Sequence, residues 1–230
     1  EPSQEHFMTR THVLIDLDGT ISDSHAGIAR SLQYAFTECG FEPPTDHAVR
    51  DVIGPPFEVS FPKLGVGPGD FERVVDKYRE RYNDIGLFEN KVYDGIPEML
   101  ETLRANGLTL ALATAKPEEP ARRITAHFGL SDHFTFEAGA SGMGGNRRTK
   151  ADVITYALAA LNISAGDHVV MLGDRDHDVE GAIANGIDCI GVSWGFGSHE
   201  ELAGAGAVVI VNTPAEVAAA VAETYRHEPV

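Results

Sequence analysis

Short apolar runs recur along the chain, separated by longer stretches whose apolar positions return with a helical period. The run THVLIDL, Thr11 to Leu17, is largely apolar and β-branched and ends in a glycine turn, which predicts a buried strand. Four similar runs come much later: Leu108 to Thr114, Phe134 to Ala140, His168 to Leu172 and Ile187 to Val192, with a candidate edge strand at Ala207 to Val211. Helical patterns fill the gaps, over Ile96 to Asn106, Pro120 to Phe128, Lys150 to Leu161 and Val179 to Asn185. Several stop at residues that take a left-handed turn readily, Asn106-Gly107, Gly129 and Asn185-Gly186. Strands alternating with helices predict the α/β class, a doubly wound parallel sheet covered on both faces.

The segment after the first strand breaks the alternation. Residues 24–93 hold two amphipathic stretches, Ala26 to Cys39 and Phe71 to Ile85, around the Pro/Gly-rich passage IGPPFEVSFPKLGVGPG, with no strong strand. They read as a small helical domain inserted into a core that is then discontinuous, 11–23 and 94–230.

Charge narrows the choice of partner. The formal net charge of −17 would repel a nucleic-acid backbone or an anionic membrane, so neither is expected as a partner. No apolar stretch approaches the ~20 residues a membrane helix needs. An anionic substrate would need a local cluster of cations and a metal to reverse the field. Cys39 and Cys189 have no metal-type spacing and read as buried thiols in a reducing cytoplasm. The opening EPSQEHFMTR has no apolar core of the kind a secretory signal carries, and Met8 is the expected natural start.

Candidate chemistry gathers at predicted strand ends. In VLIDLDGTISDS, Asp16 and Asp18 are two apart on a strand and project to one side, Leu17 points into packing, and Gly19 frees the turn. Open α/β sheets bind ligands at such carboxyl ends, and two crowded carboxylates repel unless a cation or a shared proton joins them. The run VVMLG opens into GDRDHD, delivering Asp174, Asp176 and Asp178 from another strand end. Asp16 with Asp174, supported by Asp178, would suit magnesium, although Asp174 and Asp176 also fit a plain turn or helix start. Thr114, Ala115 and Lys116 bring a hydroxyl, amides and an ammonium together, a phosphate cradle in outline. Lys150 opens a helix, the wrong end for a cation beside the helix dipole, which favours a functional reason for it. Arg50 is the best substrate contact in the inserted segment, and an exposed helix arginine is an equal reading. His25, His47, His177 and His199 are assigned to no metal, and Trp194 reads as a packed loop anchor.

These four pieces, in this order and spacing, resemble the haloacid dehalogenase superfamily of phosphohydrolases over roughly residues 11 to 212. The resemblance implies a Rossmann-like core with a helical cap, magnesium as cofactor, and a small phosphorylated metabolite as substrate. IGPP, HFGL, RRTKADVITYAL and GDRDHDVEGA are similar to the phosphoglycolate phosphatase-like branch. By that resemblance Asp16 is the nucleophile and a metal ligand. Asp18 carries the proton and lends its backbone carbonyl to the metal; Asp174 completes the metal site and Asp178 orients it. Gly19, Thr20, Thr114, Ala115, Lys116 and Lys150 would surround the phosphoryl group. Two departures concern the substrate: many relatives have Asn or Ser where Ala115 stands, and many phosphoglycolate phosphatases have Pro where Ala151 stands. The same core would serve a nucleotidase, a pyrophosphatase, a phosphomutase or a non-catalytic binding protein, and the sequence leaves these open.

Overall fold

The computed structural model describes residues 10–142 and 145–223, so the expected start at Met8 and the end of the core beyond 223 lie outside the described residues. Strand β1 (His12–Ile15) leads through a tight turn to the two-residue β2 (Ser22–Asp23). Four helices follow, α1 (His25–Glu38), α2 (Asp46–Arg50), α3 (Phe57–Lys63) and α4 (Phe71–Tyr82). Strand β3 (Lys91–Val92) then returns antiparallel to β2, Ser22 beside Val92 and Asp23 beside Lys91, closing the inserted segment at its base. From there helices and strands alternate: α5 (Ile96–Ala105), β4 (Thr109–Pro117), α6 (Glu118–His127), β5 (Phe136–Ala140), α7 (Lys150–Leu161), β6 (Val169–Gly173) and α8 (Asp176–Ala184). The last elements are β7 (Asp188–Val192), α9 (His199–Ala205), β8 (Val209–Val211) and α10 (Val217–Ala222).

Six strands form one parallel sheet in the order β5-β4-β1-β6-β7-β8. This is the doubly wound α/β fold the alternation predicts. The period of two sends Val13, Ile15, Leu110, Leu112, Val170 and Leu172 to one buried face, and Leu14, Ala111, Ala113, Val169 and Met171 to the other. On the second face the small residues Ala111, Ala113, Ala138 and Ala140 meet Val153, Ile154 and Ala157 of α7, so that helix lies close over the sheet. Strand order reverses beside β1, which has β4 on one side and β6 on the other, and this brings three carboxyl ends to one crevice.

The short helices α2, α3, α9 and α10 and the return strand β3 carry too few residues to show a period. In α3 the flanking Pro55 and Pro56 and the internal Pro62 mask the helix. It forms because Phe61 is buried and Phe57 packs on Phe61 and Tyr78, with ring centroids 4.7 and 4.9 Å apart. Tertiary packing outweighs propensity there.

Strand β4 is irregular near its end: Thr114 pairs with Gly139 and Pro117 with Ala140, which leaves Ala115 and Lys116 out of the ladder as a bulge. The bulge lies so close to β5 that a Cβ on Gly139 would sit 2.4 Å from Glu118 Cα and 2.8 Å from Lys116 O. Gly139→Ala is therefore expected to cost about 1–3 kcal/mol by overpacking. A lower urea midpoint at unchanged slope would show it; an unchanged midpoint would mean that residues 115–118 have room to move.

Candidate active site

Asp16 follows β1 directly, and its backbone N–H donates to Leu172 O at 3.0 Å, which seats it between β4 and β6. Leu17 is fully buried in the core, as its place in the alternation requires. Gly19 has φ +85°, and a Cβ there would lie 2.1 Å from Asp174 Oδ2. Only glycine satisfies both the left-handed backbone and that approach. Thr20 Oγ1 donates to Asp174 Oδ1 at 3.2 Å, Phe196 N–H donates to Asp174 Oδ2 at 2.7 Å, and Trp194 Nε1 donates to Thr20 O at 3.0 Å. Gly19 and Thr20 thus build the seat of Asp174. Trp194 anchors the loop, in keeping with its reading as a packed residue.

Lys150, 4% exposed at the start of α7, reaches back under the strand ends. Its Nζ lies 2.7 Å from Asp16 Oδ1 and 2.7 Å from Asp178 Oδ1, and donates to Ala113 O at 3.0 Å. Gly181 of α8 makes the room, since a Cβ there would come within 2.8 Å of Lys150 Cγ. Burial opposes the charge on Lys150, but Asp16 and Asp178 outweigh it and hold the ammonium well above its ordinary pKa. The carboxyls respond unequally. Burial raises Asp16 against the pull of Lys150, and burial with the fields of Asp178 and Asp16 pushes Asp174 up to about 8. For Asp178 burial is outweighed by Lys150 and His177, and its pKa falls below the usual range.

Three buried carboxylates thus face one ammonium. Asp16 Oδ1 and Asp178 Oδ1 are buried, and each meets the shared Lys150 ammonium at 2.7 Å. Three carboxyl groups that share so few cations offer spare oxygen lone pairs of the kind a hard divalent cation takes. Ligand atoms of Asp16, His177 and Asp178 lie within 4.8 Å of one another. Asp174 stands outside that group with both oxygens already accepting from Thr20 and Phe196, each keeping a second lone pair. His177, assigned to no metal on its sequence because its spacing in GDRDHD resembles no ligand pattern, thus joins the carboxylates. Its Nδ1 lies 3.4 Å from Asp176 Oδ1, and its ring fills the space left by Gly54, where a Cβ would be 2.6 Å from Cε1. Imidazole is a poor ligand for magnesium, so oxygen remains the better donor set.

The β4 bulge sets the other half of the site. Thr114 is buried, and its Oγ1 accepts from Lys116 N–H at 3.2 Å, leaving the hydroxyl proton free to donate. The Lys116 ammonium, read from sequence as part of the phosphate cradle, donates to Asp18 Oδ2 at 2.8 Å. Burial again opposes this charge, and Asp18 and Tyr82 again outweigh it. Beyond Asp18 opens a cavity of about 170 Å³ between the core and the inserted helices. Pro55, Pro56, Phe57, Tyr78 and Tyr82 give it apolar walls, with Arg79 among its lining residues. Arg50 does not line it; that side chain is exposed, with its guanidinium 5.9 Å from the centroid of the Phe196 ring. Arg79 was not singled out because nothing in its helical spacing distinguishes it from the neighbouring Arg73 and Arg81.

Links between core and insertion run along the cavity rim. Arg148 pairs with Glu58, Arg175 Nη1 donates to Ile53 O at 2.7 Å, and Arg123 Nη2 donates to Asn83 O at 2.8 Å. His47 is exposed on α2, and His199 is exposed on α9.

Comparison with known proteins agrees with this geometry. A "5'-nucleotidase" of Pseudomonas aeruginosa is 43% identical over 192 residues, 83% of this chain and 86% of that protein. "Tyrosine-protein kinase PtkA" of Mycobacterium tuberculosis is 43% identical over 185 residues, 80% of this chain but 62% of its own length. The crystal structure of a "predicted phosphatase" from Clostridium acetobutylicum superposes with a TM-score of 0.87 at 39% identity, covering 93% of this chain and 98% of that one. Residues 13–192 match the family described as haloacid dehalogenase-like hydrolase, and with strand order, strand-end carboxylates and relatives in agreement, the chain belongs to that family.

Proposed function

We propose that the chain hydrolyses a small phosphomonoester through an aspartyl-phosphate formed on Asp16, with a divalent ion as cofactor. The observation that carries this reading is the buried set of Asp16, Asp174 and Asp178, with Lys150 against two of them and the His177 ring beside the cluster. A magnesium ion held by Asp16, Asp174 and Asp178, with the Asp18 carbonyl, would neutralise charge on the phosphoryl oxygens.

The chain's own groups supply the rest. Phosphoryl transfer spreads charge over the equatorial oxygens with nucleophile and leaving group in line, so positioning and neutralisation dominate. Asp16 attacks phosphorus, and the acyl phosphate it forms splits one hard displacement into two easier ones. Lys150 lies against the attacking carboxylate and offsets the charge that gathers there. The free proton of the Thr114 hydroxyl and the amide of Ala115, lifted from the ladder by the bulge, are placed to hold phosphoryl oxygens. Asp18 protonates the leaving oxygen and later takes a proton from water. Residues 24–93 act as a lid whose closure excludes water and shapes the leaving-group cavity.

A nucleotidase is the second reading, favoured by two observations. The cavity walls are apolar and aromatic beyond what glycolate would use, and the 43% identical relative is named a nucleotidase. The setting we propose is cytoplasmic: Cys39 and Cys189 are both free and buried. Among the described residues no helix is long and apolar enough to cross a membrane. Ranking phosphate esters by kcat/KM, from phosphoglycolate to nucleoside monophosphates, decides between the two substrate readings.

Asp16→Asn is expected to lower magnesium-dependent hydrolysis of p-nitrophenyl phosphate by about 10³-fold or more. Near-normal turnover in that variant, with contaminating phosphatase excluded, would remove the nucleophile assignment. Asp18→Asn is expected to keep more phosphorylation of Asp16 than hydrolysis, seen as accumulation of acid-stable-to-gel, hydroxylamine-labile phosphoprotein.

The metal site makes a stability prediction with a definite sign. Asp174, at about 8, and Asp16, raised, hold protons in the folded metal-free chain that they release on unfolding. Stability without metal therefore falls as pH rises from the ordinary carboxylate range to about 8. Asp178 acts oppositely, but only below its ordinary value. Melting curves with a chelator should show Tm falling between pH 6 and pH 8, and magnesium should reverse the fall; an identical Tm with and without magnesium at pH 8 would speak against the site.

A further inference from the structure

The bulge in β4 carries the Lys116 ammonium to Asp18. Asp18 Oδ2 accepts from Lys116 Nζ at 2.8 Å, while Asp18 Oδ1 is buried and accepts nothing. The Lys116 and Asp18 side chains are 7% and 11% exposed, and both line the cavity. Against the ammonium also stands Tyr82 of α4, its ring centroid 5.1 Å from Nζ and its buried hydroxyl acting on the same charge. A carboxyl at a strand-end turn rotates about two side-chain bonds. An ammonium fixed on one oxygen removes that freedom and decides which oxygen meets the leaving group. Binding phosphate with Lys116 would instead require breaking a buried ion pair, and Lys150 already serves the Asp16 side.

We propose that Lys116 is a positioning residue: by holding Oδ2 of Asp18 it presents Oδ1 to the ester oxygen, and through Tyr82 it makes that alignment depend on α4 being seated on the core. This rests on Asp18 being the proton carrier. As Asp16 bonds to phosphorus and the ester oxygen leaves it, the proton on Asp18 Oδ1 passes to that oxygen. In the second half a water loses its proton to Oδ1 while its oxygen bonds to phosphorus, and the Asp16 carboxylate departs. Lys116 keeps its protons in both halves.

The test is kcat/KM for para-substituted phenyl phosphates, from 4-nitro to 4-methyl, with magnesium. This parameter covers steps through departure of the leaving group, and 4-nitrophenolate leaves with little help whereas 4-methylphenolate needs its proton. Lys116→Met is expected to lose about tenfold or more on the 4-methyl ester beyond its loss on the 4-nitro ester. Lys116→Arg should restore part of that difference. A ratio of two esters on one preparation does not depend on how much of it is folded. If Lys116→Met yields no folded protein, Tyr82→Leu carries the test, with a smaller change in the same direction. An equal fall on every ester, in either variant, overturns the proposal. Asp18→Asn on the same series separates the two levels. If it steepens the dependence while Lys116→Met does not, only the positioning role fails; if it does not steepen the dependence, the proton-carrier reading fails. The double variant should be no steeper than Asp18→Asn alone.

Discussion

Buried negative charge is the constraint around which this structure is arranged. Asp16 leaves β1 and Asp174 leaves the neighbouring β6, with Asp178 one helical turn further on, and all three carboxylates are out of solvent. In a low-dielectric interior such a group is tolerated only if cations and oriented donors meet it. The fold supplies some of both. Lys150 is drawn from the start of α7 to stand between Asp16 and Asp178, and Thr20 and the Phe196 amide satisfy Asp174. Close packing around these side chains requires residues without a Cβ at Gly19, Gly181 and Gly195. What remains is a cluster of three buried carboxyl groups around Lys150 and the His177 ring, an oxygen-rich donor set that suits a hard divalent ion.

The two lysines divide the site. Lys150 belongs to the side where a phosphoryl group would be received, and Lys116 to Asp18, which faces the leaving-group cavity. Both are buried and held protonated by the carboxylates they contact. Neither position follows from helix or strand preference alone. Lys150 is unfavourable beside the positive end of its helix dipole, and Lys116 depends on a bulge that interrupts β4. Local rules give way here to the electrostatics of the site, which is where such exceptions concentrate.

Core and insertion share one hydrophobic cluster, and polar links join them along the cavity rim. Arg175 reaches Ile53 from the same loop that carries Asp174, and His177 packs on Gly54 one residue further along. The loop bearing the carboxylates therefore also touches the segment that walls the cavity. A change in the seating of that segment is felt at the carboxylates without any long chain of intermediates. The apolar wall itself, Pro55 to Phe57 with Tyr78 and Tyr82, is held by aromatic packing within the insertion and meets the core where Tyr82 faces Lys116.

Read alone, the sequence determined the α/β class, the main strands and the longer helices, because hydrophobic period depends on nothing beyond neighbouring residues. It also singled out Asp16, Asp18, Thr114, Lys150, Asp174 and Asp178, since polar and charged residues at the ends of apolar runs or the starts of helices are conspicuous in the sequence itself. Tertiary structure decided the rest. Lys116 turned to Asp18, His177 entered the carboxylate cluster, Arg50 stayed outside the cavity and Arg79 lined it, and α3 formed among prolines. Each of these depends on distances between segments far apart in the chain. Such distances are set by close packing and strand order, quantities that have no period and no local signature for a sequence to display.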